Sequence, residues 1–219
     1  MKNRILIALT LLLLLSTYKL QNYFSFFSRM NVKEIIVENV TVLNNKDIKR
    51  KLSFLYDTSF YFLKKTDIEK ALENEEFVEG FHIKKIYPDK IKIKIFEKKP
   101  VANLQNKKKK FYFTDKNKIL PYRDVKKFKN LPVVFGNKES FTIFYSNLKN
   151  VGFLIDEIKT LYYFESQRWD IVTKKNQTIK LPSKDYKKSL RNFNLIKDQI
   201  NFDKYKIFDY RINDQLILK

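Results

Sequence analysis

An alternating run at residues 90–95, with the sequence KIKIKI, constrains the fold of this chain more than any other feature. Its isoleucines point to one side of the backbone and its lysines to the other, which is typical of a β-strand with one wet face. Phe81 and Ile83 begin an earlier strand, and Pro88-Asp89 supplies the turn between the two. Pro100 ends the pairing, because proline lacks the N–H that a sheet ladder uses. The sequence therefore predicts a hairpin that closes a first domain just before Pro100.

The residues before this hairpin supply the rest of that domain. VKEIIV at 32–37 predicts a strand, and Asn44 or Asn45 is placed to cap a first helix. Thr66 and Glu69 have the spacing of a capping box, which predicts a second helix. The order is then β-α-α-β-β, in which two short helices cover one face of a three-stranded sheet.

The N-terminal segment is strongly apolar. Residues 5–15 read ILIALTLLLLL, and aromatic residues continue the apolar character to residue 27. No small-x-small cleavage site follows, so an uncleaved anchor is favoured over a signal peptide, and the lack of a polar face disfavours a core helix. We expect a cytoplasmic stub at 1–4, a transmembrane signal-anchor at 5–27 and a linker at 28–31. The rest of the chain would lie outside the cytoplasm.

The second half, residues 100–219, predicts a mainly antiparallel β-domain with two helices, so that the whole chain is of the α+β class. The helices are expected at 140–149 and 184–200, the second with Leu190 and Phe193 in its buried stripe. The strands are expected at 111–115, 119–120, 131–136, 158–164, 169–173, 178–181, 206–212 and 216–218.

The net charge of +21 raises the possibility of an anionic ligand such as nucleic acid. Only seven of the 45 basic residues are arginine, the side chain best suited to reading base edges. Lysine is abundant together with Asn, Ile, Phe and Tyr, all of which have A/T-rich codons, so genome composition is a sufficient explanation. We therefore predict no nucleic-acid partner.

Residues for catalysis are scarce in this sequence. It has no cysteine and a single histidine, His82, which excludes thiolate zinc sites and leaves no plausible catalytic triad. The three glycines are too far apart to form a phosphate-binding loop. Trp169 is expected in the core. The sequence thus predicts a protein that is not an enzyme and takes no cofactor, metal or small-molecule substrate.

The run FVEGFHIKKIYPDKIKIKIFEKKPVA, together with its place after an apolar segment, resembles the POTRA domain of the FtsQ/DivIB family of bacterial cell division proteins. Lys98 stands where the family usually has arginine, and Asn39 where it usually has glycine; asparagine also tolerates a left-handed conformation. The residues that match the family pattern are Tyr87, Pro88, Ile91, Ile93, Ile95, Glu97, Pro100, Val101 and Ala102.

The resemblance continues in the second half. Four short motifs occur there in the family's order, and the ordered set is more specific than any one of them. They are Leu131-Pro132 with Gly136, Arg168-Trp169-Asp170, Ile179-Lys180-Leu181-Pro182 and Asp209-Tyr210-Arg211. The resemblance therefore covers the whole chain, with a POTRA domain at 32–99 and an FtsQ-type β-domain at 100–219.

The resemblance implies a divisome scaffold: a single-pass, type II protein of the inner membrane that binds FtsB/FtsL-type partners at the septum and links early and late division proteins. Its partner site would lie in the last strands, where a partner adds a strand to the sheet edge. The residues expected to contact the partner are Ile207, Tyr210, Ile212, Leu216, Ile217 and Leu218. Two alternatives stay open: a chaperone-like or secretion-related POTRA protein of the periplasm, and a basic lipid- or nucleic-acid-binding protein.

Overall fold

The computed structural model describes residues 2–16, 30–106, 109–197, 204–212 and 215–219. By its internal contacts the chain divides into two compact units, Met1–Glu97 and Lys98–Lys219, each of which has its own sheet. Both units mix helices and strands, so the chain is an α+β protein.

After helix α1 (Lys2–Ser16), the described part of the N-terminal unit contains a three-stranded sheet and two short α-helices. Helices α2 and α3 follow β1 and precede the β2–β3 hairpin, as the sequence predicts. The bounds are α1 (Lys2–Ser16), β1 (Glu34–Glu38), α2 (Asn45–Lys51), a 3-10 turn (Ser53–Asp57), α3 (Lys65–Leu72), β2 (Val78–Ile86) and β3 (Lys90–Glu97). The sheet order is β1-β3-β2, with β1 parallel and β2 antiparallel to the central β3.

The alternation in β3 places its isoleucines in the core of this unit. Ile91, Ile93 and Ile95 are fully buried, and the first two lie opposite Ile35 and Val37 of the parallel neighbour. The lysines between them face solvent, where Lys90 and Lys92 form ion pairs with glutamates of β1 at 2.7 Å. The hairpin turn contains a cis peptide bond between Tyr87 and Pro88.

One of the two expected helix caps is confirmed and the other is wrong. Asn44 caps α2, because its Oδ1 accepts the Lys46 N–H at 2.9 Å. The expected capping box at Thr66 does not form, since α3 already begins at Lys65 and no side chain caps it. The carboxylate of Glu69 pairs instead with Lys65, at 3.3 Å, one helical turn earlier.

Helix α1 occupies the first part of the predicted anchor, and its leucines are exposed. The remainder of the predicted 5–27 span, from residue 17 onward, lies outside the described residues. Within the described ranges no helix combines the length and apolar character needed to cross a bilayer.

The C-terminal unit is built on one nine-stranded sheet, in the order β12-β11-β10-β9-β8-β7-β4-β5-β6. Its strands are β4 (Pro100–Asn106), β5 (Lys109–Thr114), β6 (Ile119–Pro121), β7 (Val133–Phe135), β8 (Ile158–Tyr163), β9 (Trp169–Thr173), β10 (Thr178–Lys180), β11 (Ile207–Asp209) and β12 (Ile217–Leu218). Five of its eight strand pairs are antiparallel, as expected, but the sheet is mixed, because β4–β7, β7–β8 and β10–β11 are parallel neighbours.

Two helices cover one face of this sheet and account for two of its three parallel pairs. Helix α4 (Lys138–Asn150) connects β7 to β8, and α5 (Tyr186–Ile196) lies between β10 and β11, so each accompanies a crossover between parallel strands. Phe141, Phe144, Leu190 and Phe193 of these helices are buried in the core of the unit. Trp169 also lies there, as expected, stacked on Phe144 with a centroid distance of 4.6 Å.

Candidate functional site

Strand β12 is the outermost strand at one end of the nine-stranded sheet in the described part of the chain. It pairs antiparallel with β11, with Leu218 opposite Phe208 and Ile217 opposite Asp209. Its inner side is therefore occupied, and its other side forms a sheet edge. Main-chain groups at such an edge are able to pair with a further strand.

The hydrogen bonds of Lys219 show which main-chain groups face outward. Lys219 donates its N–H to the Ile207 carbonyl at 3.1 Å and accepts the Ile207 N–H at 2.9 Å. In an antiparallel ladder, bonded and non-bonded residues alternate along the strand. The N–H and C=O of Leu218 therefore point away from β11, toward the position of an added strand.

The leucines and isoleucines of this edge lie on two different faces. Leu216 and Leu218 are half-buried and pack against the core under α5. Ile207 and Ile217 alternate with Phe208 and Leu218 in the register, which places them on the face turned away from the helices. The edge thus presents apolar side chains on both faces of the sheet.

Tyr210 and Ile212 differ in exposure. Tyr210 is buried within the core, and its hydroxyl donates to Asn192 Oδ1 at 3.0 Å. Burial raises the pKa of the Tyr210 phenol above its ordinary value, so the group is neutral and acts as a donor. Ile212 is 52% exposed, which makes it the most accessible of the six predicted contact residues.

A groove of about 320 Å³ brings three of the predicted residues together. Tyr210, Ile212 and Leu216 line one side of it, and the N-terminal part of α5 lines the other. The α5 side and its approach contribute Lys184, Lys188, Ser189 and Asn192. We did not predict these four residues. For Lys188, Ser189 and Asn192 the available signal was their position in a strongly amphipathic helix, outside its buried stripe, and Lys184 lies just before that helix.

Two aspartates at this end of the sheet each lie beside an arginine. Asp209 accepts hydrogen bonds from Arg211 Nε at 2.9 Å and Nη2 at 2.6 Å, and these bonds hold the pKa of the Asp209 carboxyl below its usual value. Asp170 is buried, and the resulting desolvation raises its pKa although Arg168 Nε lies 3.7 Å from Oδ1. Neither arrangement places a nucleophile beside a base, so both are structural pairs.

Metal sites in proteins are built from clusters of histidine and acidic side chains when cysteine is absent. Among the described residues no group of three or more His, Asp or Glu side chains is placed to hold a metal ion. His82 lies at an exposed position of β2, opposite Lys94. The site that the geometry offers is therefore a surface for a macromolecule, made of a strand edge and the groove beside it.

The comparisons with known proteins cover both units. Residues 30–98 match the family model for the FtsQ-type POTRA domain, and residues 102–211 match the model for the C-terminal region of the cell division proteins FtsQ/DivIB. The chain is 23% identical over 202 residues to the cell division protein FtsQ of Rickettsia typhi, covering 89% of this chain and 75% of that protein. It is 24% identical over 186 residues to FtsQ of Rickettsia bellii, covering 82% and 68%.

Among solved structures, the major extracytoplasmic domain of the trans isomer of DivIB from Geobacillus stearothermophilus aligns with a TM-score of 0.34 and 10% identity, covering 48% of this chain and 96% of that one. The domain models are the stronger finding. They define a protein with a POTRA domain followed by a second, sheet-based domain. The chain belongs to the FtsQ/DivIB family of bacterial cell division proteins. This membership confirms the predicted resemblance and argues against a secretion-related POTRA protein.

Proposed function

We propose that this chain is a non-enzymatic scaffold of the division machinery that binds FtsB/FtsL-type partners through the β12 edge. The observation that carries the proposal is the outward direction of the Leu218 N–H and C=O at the end of the nine-stranded sheet. A partner segment in extended conformation would pair with these groups. The groove beside Tyr210, Ile212 and Leu216 would receive its side chains and so set the register.

The proposed location follows from the first 27 residues and from the family. Residues 5–27 would anchor the chain in the inner membrane with its N-terminus in the cytoplasm, and the two domains would lie in the periplasm at the septum. The apolar sequence of α1 and of the residues after it supports this anchor. In this arrangement the scaffold links early and late division proteins across the membrane surface.

Capture of the partners by the full-length chain in detergent tests the binding mode. The chain would be co-expressed with the FtsB- and FtsL-type proteins of the same organism, and the retained complex quantified. Leu218→Pro removes the outward N–H while proline is tolerated on an edge strand, and we expect it to abolish capture. Leu218→Ile keeps the N–H and an apolar side chain, so it should retain capture.

Side-chain substitutions test the same site from another direction. Leu216→Glu combined with Leu218→Glu places charge on the apolar side of the edge, and we expect capture to be lost. A thermal unfolding curve would show whether this variant stays folded. Capture that survives both Leu218→Pro and the double charge substitution in folded protein would overturn the proposal.

A further inference from the structure

The positive charge of the chain is concentrated in one part of it. Residues 30–97 carry 13 basic and 12 acidic side chains, whereas residues 98–130 carry 12 basic and only two acidic ones. Genome composition suffices for the total charge, but it acts on the whole gene and does not account for a balanced domain beside a strongly basic segment. The excess therefore needs a local explanation.

The basic segment forms the end of the nine-stranded sheet opposite β12. It contains β5, β6 and the 3-10 helix at Lys126–Phe128. We call six of its exposed cations the basic end: Lys109, Lys110, Arg123, Lys126, Lys127 and Lys129.

An aromatic cluster holds the basic end in a fixed arrangement. Phe128 is buried edge-to-face against Tyr112 at a centroid distance of 5.2 Å, and Tyr122 packs on the same ring at 5.2 Å. The Tyr112 hydroxyl donates to the Arg123 carbonyl. Because Phe128 points inward, its neighbours Lys126, Lys127 and Lys129 are turned toward solvent.

Acidic side chains compensate little of this charge. Asp124 lies 3.8 Å from Lys129, and in the described ranges no acidic side chain lies within ion-pair distance of Lys126 or Lys127. Lys110 lies over the ring of Tyr122, 5.7 Å from its centroid, and that ring is 41% exposed. Exposed tyrosine beside lysines is a combination found where proteins meet the headgroup region of a bilayer.

We propose that the basic end binds the anionic headgroups of a lipid bilayer and so docks the C-terminal domain on the membrane surface. Lysines on an exposed surface suit a surface of diffuse negative charge, whereas specific phosphate or base recognition favours arginine. This proposal relies on the anchor proposed above to bring the domain close to the membrane, but the lipid contact is a separate property from partner binding. The basic end also lies at the opposite end of the sheet from β12.

The test uses the full-length chain in lipid nanodiscs. The chain has no cysteine, so Asn130→Cys provides a single labelling site beside Lys129 and Ser183→Cys a matched one elsewhere in the domain. Energy transfer to an acceptor dye on the lipid headgroups is measured in phosphatidylglycerol and in phosphatidylcholine discs. We expect stronger transfer from position 130 in phosphatidylglycerol, and we expect 500 mM salt to remove the difference.

Charge reversal identifies the residues responsible. The triple variant K126E/K127E/K129E should lower transfer in phosphatidylglycerol to the phosphatidylcholine level. The control K174E/K175E/K187E changes the same amount of charge at exposed positions elsewhere in the domain and should leave it unchanged. Equal transfer in both lipids, or equal loss with both triple variants, would overturn the proposal.

Two further results separate this proposal from its alternatives. If the chain does not stay in nanodiscs, the anchor proposal fails, and sedimentation with phosphatidylglycerol vesicles then tests the basic end directly. Each lysine near an anionic surface contributes about a fivefold gain in affinity, so the triple reversal should weaken vesicle binding by roughly 100-fold or more. Tighter binding of a soluble polyanion, such as an oligonucleotide, through the same three lysines would replace the lipid proposal.

Discussion

The carboxylate of Glu97 accepts the main-chain N–H of Leu43 at 3.0 Å, and this contact ties the end of β3 to the segment after β1. The same carboxylate accepts the N–H groups of Thr41 and Val42, each at 2.9 Å, and the Thr41 hydroxyl. One acidic side chain thus satisfies three consecutive donors that precede α2. This explains in physical terms why a glutamate is needed at a position that the family pattern identifies.

Substitution of Glu97 should therefore destabilise the N-terminal domain in a pH-dependent way. Burial alone would raise the pKa of Glu97, but the hydrogen bonds from Leu43, Thr41 and Val42 outweigh it and hold the pKa below 4.5. The stabilisation is complete above pH 4.5 and is lost as the pH falls through the lower folded value. At pH 7 we expect Glu97→Gln to cost about 1–2 kcal/mol, a range reduced for partial exposure.

Urea unfolding of the wild-type chain and of Glu97→Gln at pH 7 and pH 4 checks this expectation. The difference between the two proteins should shrink at pH 4, because the carboxylate of the unfolded wild-type chain then binds protons more readily than the folded one does. Glu73→Gln, at an exposed helix end, is the control and should unfold like the wild type at both pH values. A constant difference for Glu97→Gln would show that its charge is not the cause.

The sequence predicted the elements of this domain better than their contacts. Asn39, which replaces the usual glycine, has φ 65° and donates from Nδ2 to the Ile95 carbonyl at 2.8 Å. Its tolerance for that conformation was predictable from residue type, but the bond to Ile95 was not. The Thr66 capping box failed because α3 begins at Lys65, before the expected cap, and the local pattern does not fix which residue starts the helix.

The sheet of the C-terminal domain shows the same limit at a larger scale. Strand positions follow from alternation and turn residues, and helix positions from period and caps. Strand order depends on contacts between residues that are far apart in the sequence. Leu104 of β4, for example, lies beside Val134 of β7, which is not the next strand along the chain. The family resemblance pointed to the last strands as the partner site, but the place of β12 at an end of the nine-stranded sheet came only from the structure.

Gly136 is predicted to tolerate no side chain. A Cβ at this position would lie 3.0 Å from Tyr163 Cβ and 3.2 Å from Trp169 Cη2, so the strand and the tryptophan would have to move. We expect Gly136→Ala to lower the free energy of unfolding by about 1–3 kcal/mol. Gly80→Ala is the matched control, since nothing lies within 4 Å of its Cβ position, and its thermal midpoint should stay close to the wild type.

Asp170 is predicted to destabilise the folded state when it is charged. Desolvation raises its pKa despite Arg168, and Oδ1 has no hydrogen-bond partner in the described structure. For an acid with a raised folded pKa, the relative stabilisation is present at low pH and is lost as the pH rises through that value. Asp170→Asn should therefore unfold at equal or higher urea concentration than the wild type at pH 7.

The advantage of Asp170→Asn should disappear in acid, where the wild-type carboxyl is also neutral. Asp156→Asn, at an exposed position, serves as the control for the loss of one negative charge. If Asp170→Asn is clearly less stable at pH 7 than the wild type and Asp156→Asn, the ion pair with Arg168 stabilises the folded state by more than the desolvation of Asp170 costs.

Tyr210 and Ile212 are predicted to respond in opposite ways to substitution, because one lies in the core and the other on the surface of the same groove. Tyr210→Phe removes the hydroxyl that donates to Asn192, at 3.0 Å, and should cost about 1 kcal/mol of stability with little change in partner affinity. Ile212→Asp should leave stability unchanged and weaken partner binding at least tenfold, about 1.4 kcal/mol, through loss of an apolar contact.

Measuring both quantities for both variants separates a binding surface from core packing. Thermal unfolding gives the stability change, and titration of an FtsB-type peptide onto the full-length chain gives the affinity change. The crossed pattern is expected only if the groove is the contact surface and Tyr210 supports it from beneath. If Ile212→Asp leaves the affinity unchanged while Tyr210→Phe lowers it, the partner contacts the buried Tyr210 ring rather than the exposed Ile212 side chain. The proposal that the partner adds its strand at the β12 edge would then be wrong.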